Sequence, residues 1–163
     1  MLLNNTKTTT SKLIREFPCT TIHNNTFSFA DASPDFRRKL LDRSIFVADE
    51  NFSSDWFSFY RALKQRNSLL KSGYINDISI WNESVAKEGT SLTSYRKNFF
   101  NKTLNEFNNL IDILEPEKVF TFLKSINIKF YKGWDGDDSL LNTLSNNISS
   151  DLKRRSTVFG PHK

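Results

Sequence analysis

The sequence predicts an α+β fold, mainly helical, in which long amphipathic helices are flanked by short β-strands. Three observations predict it. Apolar residues recur at steps of three and four from Ile78 to Leu114, and no proline interrupts them before Pro116. Two basic runs, 33–42 and 61–71, show the same helical spacing with their own start and stop signals. The β-branched or alternating stretches are short and confined to the two ends of the chain.

Taken in order, Leu2-Leu3 reads as a strand running into an Asn turn at Asn4-Asn5. Thr10 or Ser11 is placed to cap a short helix through Phe17. Cys19-Thr20-Thr21-Ile22 and Phe27-Ser28-Phe29 read as brief strands. Ser33 then offers an N-cap oxygen, Pro34 falls at the first helical position, and Asp35 sits at the positive end of the helix dipole. That predicts a helix over 34–47 with Phe36, Leu40 and Val47 on one face. A second helix over 53–72 ends at Gly73. Its apolar stripe is Tyr60, Leu63, Asn67 and Leu70, with Arg61, Lys64, Ser68 and Lys71 opposite.

The third helix, 77–114, has a stripe of Ile78, Trp81, Val85, Glu88, Leu92, Tyr95 and Phe99, with a bend or break expected near Glu88-Gly89. Val119-Phe120-Thr121-Phe122 and Ile126–Phe130 alternate like strands, and Gly133-Trp134-Asp135-Gly136 is a turn. Asp137 or Asp138 is expected to cap a last helix through Leu152, after which Thr157-Val158-Phe159 is extended.

At 163 residues the chain can bury one real core. The single cysteine, Cys19, excludes an internal disulfide, and its apolar neighbours suggest a small buried side chain. Two distant histidines offer no zinc spacing. No apolar run approaches the roughly 20 residues of a membrane span, so a soluble, cytoplasmic protein with no membrane partner is expected. No glycine precedes a Lys-Ser or Lys-Thr pair, which excludes a phosphate loop. The carboxylate pairs Asp137-Asp138 and Glu115/Glu117 read as a cap and a solvated loop, so no catalytic group and no metal ligand is expected.

The net charge of +5 makes polyanions, nucleic acid first, the natural partner class. Arginine and lysine on a helix face neutralise phosphates without reading sequence. Arg37, Arg38, Arg61, Lys64 and Arg66 are the candidates for that contact, with Lys71 and Lys153-Arg154-Arg155 as further basic positions. The competing use of such residues is ion pairing, and Asp35 is at helical spacing from Arg38 and Lys39. Among the aromatics, Trp56, Phe57, Phe59 and Tyr60 could stack on bases but have the spacing of a core stripe.

Several blocks in this order resemble the RecF family of bacterial DNA replication and repair proteins, which are ABC-type ATPases related to SMC heads. They are Ser33-Pro34-Asp35-Phe36-Arg37-Arg38-Lys39-Leu40-Leu41-Asp42, Leu63-Lys64-Gln65-Arg66-Asn67, Trp81-Asn82-Glu83, Phe130-Tyr131-Lys132-Gly133-Trp134 and Gly160-Pro161-His162-Lys163. The chain departs from the family at Thr20, at Asn24-Asn25 and at Arg43-Ser44.

The resemblance implies a central fragment: the helical arm (lobe II, antiparallel helices) of an ABC/SMC-like ATPase head. Residues 1–32 would be the edge of the head, 33–116 the arm, and 117–163 the return to the head. It implies a parent that binds single-stranded or gapped DNA and acts with RecR and RecO in loading recombinase during the SOS response. ATP and Mg would serve an ATP-dependent homodimer of the intact family, with no cofactor and no ATPase activity in this fragment. The other reading of the same residues is a stand-alone basic helical module that binds protein.

Overall fold

The computed structural model describes residues 2–3, 5–19, 32–114 and 121–163. The strand expected at 27–29 lies outside them, as do Thr20-Thr21-Ile22 of the strand at 19–22, Asn24-Asn25, and Val119-Phe120. The chain groups into two compact units, Met1–Ser54 and Asp55–Lys163.

In the first unit, β1 (Leu2–Leu3) pairs antiparallel with β2 (Thr6–Lys7), Leu3 opposite Thr6. Asn5 takes φ 61° between them, a left-handed conformation that Asn tolerates better than most residues. Helix α1 (Thr10–Glu16) is capped one residue earlier than expected, by Thr9, whose hydroxyl accepts from Lys12 N–H. Helix α2 (Pro34–Ala48) begins as predicted, with Ser33 Oγ accepting from Phe36 N–H at 3.3 Å.

Arg15 ties α1 to α2. Its Nε donates to the Phe46 carbonyl at 2.9 Å, its Nη2 to Ser53 Oγ at 2.7 Å, and its guanidinium lies 4.3 Å above the Phe46 ring. The face of α2 differs from the expected one. Phe36 and Leu40 are exposed, while Asp42 and Ile45 are buried. Cys19 is exposed rather than buried, following an exposed Phe17 beyond the end of α1.

In the second unit, α3 (Phe52–Ser72, which starts at the end of the first unit) ends where Gly73, at φ 75°, donates to the Leu69 carbonyl. Helix α4 (Ile78–Leu114) runs unbroken for 37 residues. Its buried positions are Ile78, Asn82, Val85, Gly89, Leu92 and Arg96, alternating steps of four and three, with Ala86 and Ile111 besides. That is a heptad seam, but rotated by one residue from the expected stripe at every second position. Asn82, Gly89 and Arg96 take the places expected of Trp81, Glu88 and Tyr95.

The helix is not broken at Gly89. A Cβ there would stand 2.8 Å from Leu140 Cδ2 and 3.1 Å from the Phe59 ring, so the absence of a side chain lets the neighbours close on the helix.

The strands expected at 119–122 and 126–130 do not form among the described residues. Thr121–Ser125 is a 3-10 turn, and 126–130 has no ladder partner. An alternating pattern without a second strand to bond leaves its backbone groups no reason to stay extended. The last helix is two: α5 (Leu140–Asn146) and α6 (Ile148–Arg154). Ser139, not Asp137 or Asp138, is the cap, its Oγ accepting from Asn142 N–H at 3.1 Å. Helix α5 packs on α4 through Leu140 and Leu144, each 1% exposed. The segment after α6 buries Thr157 and joins no strand ladder. No helix among the described residues is long and apolar enough to cross a membrane.

Candidate nucleic-acid interface and the buried arginine

Helix α3 carries basic residues on two faces. Toward the interior it places Phe59, Ala62, Leu63, Arg66 and Leu70. Toward solvent it places Phe57, Arg61, Lys64, Gln65, Ser68 and Lys71. The 3.6-residue period alone sorts them, since Leu63, Arg66 and Leu70 share one stripe and Arg61, Lys64, Ser68 and Lys71 another.

Of the five predicted contact residues, Arg61 and Lys64 are therefore exposed side by side, at i and i+3. Arg37 is exposed on α2. Arg38 is mostly covered and 3.7 Å from Asp35, which also takes Lys39 at 2.7 Å. The Lys39 ammonium hydrogen-bonded to Asp35, with the Arg37–Lys39 run beside it contributing Arg38, holds that carboxyl below the usual carboxylate range.

Arg66 is the correction. It is fully buried, because its position falls on the core stripe of α3 and an interior carboxylate answers it. Its Nη1 lies 2.7 Å from Asp151 Oδ2 of α6, itself fully buried, and donates to Thr157 Oγ1 at 2.8 Å. Its Nε donates to Asn82 Oδ1 on α4 at 2.7 Å. Arg66 thus joins α3, α4, α6 and the segment that follows, and it is not at the surface to meet a phosphate.

The neighbouring residue completes the arrangement. Asn67 Oδ1 accepts from both the N–H and the hydroxyl of Thr157, at 2.8 and 2.7 Å, which is the partner its place in an apolar stripe required. Asp151 Oδ1 accepts from Val158 N–H at 2.8 Å, and the His162 ring meets the Thr157 carbonyl at 3.1 Å. Arg96 of α4 donates to the Pro161 carbonyl.

The turn at Gly133 closes the same cluster. Gly160 N–H donates to the Gly133 carbonyl at 2.9 Å, and a Cβ on Gly133 would fall 2.0 Å from the Gly160 oxygen. With φ at 96°, that position accepts only glycine. Trp134, 5% exposed, donates from its indole N–H to the Asp138 carbonyl.

Four blocks far apart in sequence, at Arg66-Asn67, Asn82, Gly133-Trp134 and Gly160-Pro161-His162, therefore meet around one buried polar cluster. The sequence reading missed Asp151, Thr157 and Arg96 as members. A sole acid in the stretch from Ser139 to Lys163, placed among apolar helix positions, was the signal available for Asp151.

The aromatics divide likewise. Phe59 is core, in ring contact with Tyr60 and with His162. Trp56 and Tyr60 lie against each other with centroids 4.3 Å apart and planes inclined by 41°. Phe57 is 63% exposed, one turn before Arg61 on the solvent face. No group of three or more metal-ligating side chains exists among the described residues.

No protein-family model matches the chain. Among solved structures it matches that of the recombination mediator protein RecF with ATP in the RecFOR pathway, with a TM-score of 0.69 and 24% identity, over 87% of this chain and 40% of that one. A second RecF structure, with an ATP analogue, matches with a TM-score of 0.67. The mainly helical fold is thus shared with part of the RecF structure.

In sequence it is 32% identical to the DNA replication and repair protein RecF of Shewanella sp. (strain W3-18-1), over 94% of the chain. It is 35% identical to the RecF of Trichlorobacter lovleyi over 80% of the chain. The chain is thus homologous to part of RecF, and it spans 41% and 36% of the length of those two relatives.

Proposed function

We propose that this chain is the DNA-facing helical arm of a RecF-like protein that binds single-stranded or gapped DNA and supports recombinase loading. The observation that carries the reading is the solvent face of α3. Arg61, Lys64 and Lys71 stand exposed there, no acidic residue occurs between Asp55 and Asp77, and no ion pair answers them among the described residues. Such a face neutralises backbone phosphates and releases their counterions. The exposed ring of Phe57, on the same face, adds a surface on which an unpaired base can stack, and that favours single strands. On α2, Arg37 is a further exposed cation, and Arg38 a weaker one because Asp35 already answers it.

The remaining roles rest on family likeness: ATP and Mg bound by parts of the relatives beyond the length matched here, an ATP-dependent homodimer, RecR-type and RecO-type partners, and the SOS response in the cytoplasm. In this reading 1–32 and 117–163 adjoin the ATPase head and 33–116 is the arm. The 163-residue chain then has no ATPase activity of its own, and steady turnover of ATP by the purified chain would overturn that division of labour.

The DNA role is tested by Arg61→Glu with Lys64→Glu. Binding of a fluorescent single-stranded oligonucleotide should weaken for every sequence alike, with a shallower dependence on salt. Unchanged affinity and slope would remove the α3 face as the interface.

A further inference from the structure

We infer that the solvent face of α3 and the end of α6 form one continuous phosphate-binding surface, contributed by two segments 90 residues apart. The inference rests on the nucleic-acid reading above and deepens it. Its first support is the clamp. Asn67 is half-buried at the border of the apolar and the basic stripe, three residues after Lys64 and four before Lys71. Asn67 Oδ1 holds the Thr157 N–H and hydroxyl, at 2.8 and 2.7 Å. Arg155 is two residues before Thr157, a chain span of at most about 7 Å. Arg66, next to Asn67, and Asp151, six residues before Thr157, pin the same two segments together from inside. Lys153, Arg154 and Arg155 are therefore carried to the edge of the α3 face, and all three are exposed.

The second support is charge. From Ser139 to Lys163 the sole acidic residue is Asp151, and it is withdrawn into the interior on Arg66. The α3 face contains no acid after Asp55. Among the described residues no ion pair involves Arg61, Lys64, Lys71, Lys153, Arg154 or Arg155. Six exposed cations thus adjoin with no carboxylate from either segment among them, which is the complement of a strand carrying one phosphate per nucleotide.

The third support is the backbone. Arg155 is the C-cap of α6 at φ 52°, and its N–H donates to the Asp151 and Leu152 carbonyls. Glycine fills that left-handed position most easily. An arginine there sets a long cationic side chain at the turn despite the conformational preference.

The test uses the full chain and a fluorescent single-stranded oligonucleotide, titrated over a range of salt. Three variants are compared with the parent: Arg61→Gln/Lys64→Gln, Lys153→Gln/Arg154→Gln/Arg155→Gln, and Arg155→Gly. The triple substitution is expected to lower the slope of log K against log salt by about 2, at roughly 0.7 per phosphate on a single strand. Arg155→Gly is expected to lower it by about 0.7 while keeping or raising the thermal midpoint, since it relieves the left-handed residue.

A parental slope in the triple variant, with a reduced slope in Arg61→Gln/Lys64→Gln, overturns the two-segment surface and leaves the α3 reading standing. A parental slope in both overturns both. A reduced slope in the triple variant alone removes α3 and also overturns the joint surface. Polyglutamate competing as well as DNA of equal charge would assign the surface to an acidic protein instead.

Discussion

Helices α2 and α3 each carry a run of arginines and lysines, and the structure treats the two runs differently. On α2 two of the three charges in the run are answered locally, since Asp35 takes Lys39 and Arg38 within one turn, while Arg37 stays exposed. On α3 no acid lies within reach along the helix. One arginine, Arg66, turns inward to meet a carboxylate 85 positions later, and the others stay on the surface unanswered. A basic run in a sequence therefore has three fates, namely local neutralisation, interior pairing, or free exposure. The third alone leaves a charge for a partner. What decides is where the nearest carboxylate falls relative to the helix period.

The largest test of this difference is to remove the inward arginine. Arg66→Ala leaves Asp151 buried without its partner, and breaking such a pair costs about 3–5 kcal/mol. Chemical denaturation should show that loss. Replacing both members, as Arg66→Met with Asp151→Leu, should recover a substantial part of it, because the penalty comes from the stranded charge more than from the lost attraction. An Arg66→Ala chain as stable as the parent would mean that the pair is not buried in solution and that Arg66 belongs with the exposed residues.

A comparable loss is expected from Gly133→Ala, for a backbone reason. Its Cβ would overlap the Gly160 carbonyl, which is main chain and has no rotamer to yield, and φ of 96° is strained for alanine. Gly89→Ala is milder. The atom it meets is a Leu140 methyl, so overpacking of about 1–3 kcal/mol is set against a helix-propensity gain of about 1 kcal/mol. A small net destabilisation, below that of Gly133→Ala, should appear as a lower denaturation midpoint. The reverse order would mean that the α4–α5 contact, not the Gly133–Gly160 contact, holds the cluster closed.

On the outer face the expectation inverts. Arg61→Gln and Lys64→Gln should change stability by no more than about 0.5 kcal/mol, as ordinary surface substitutions do. They should still weaken DNA binding. Substitutions on α3 would then separate by face: stability inside, salt-dependent affinity outside.

The sequence made the helices legible because capping and period are local. Ser33-Pro34 and Gly73 act where they stand, and α2, α3 and α4 fall within a residue of their expected bounds. What it hid depended on distant partners. The seam of α4 was misjudged because Trp81 and Tyr95 are larger and more apolar than Asn82 and Arg96. Asn82 and Arg96 are nonetheless buried, since Arg66 and the Pro161 carbonyl answer their polar atoms.

Gly89 looked like a breaker because its use, admitting Leu140, is visible only in three dimensions. The alternation at 126–130 is a local signal too, but a strand needs a second strand. Among the binding candidates, the same locality made Arg61 and Lys64 legible on the outer stripe and left Arg66 misplaced, since Asp151 could not be paired with it from spacing.

The smallest effect sharpens the α2 side of the comparison. Asp35 accepts from Lys39 and is fully solvent-exposed, so its carboxyl is held below the ordinary value of 3.8 by a screened pair. A carboxylate whose folded value is depressed contributes stability that is fully present above the unfolded value. That contribution is lost as pH falls through the folded one. Its loss therefore begins below about pH 4, and raising salt should shrink it. Carboxyl chemical shifts followed through an acid titration should place the Asp35 midpoint below 3.8 in the parent and closer to it in Lys39→Gln. A midpoint unmoved by that substitution would show that Lys39 is as unanswered in solution as Arg61 and Lys64 on α3, and α2 would then join α3 as a surface open to phosphate.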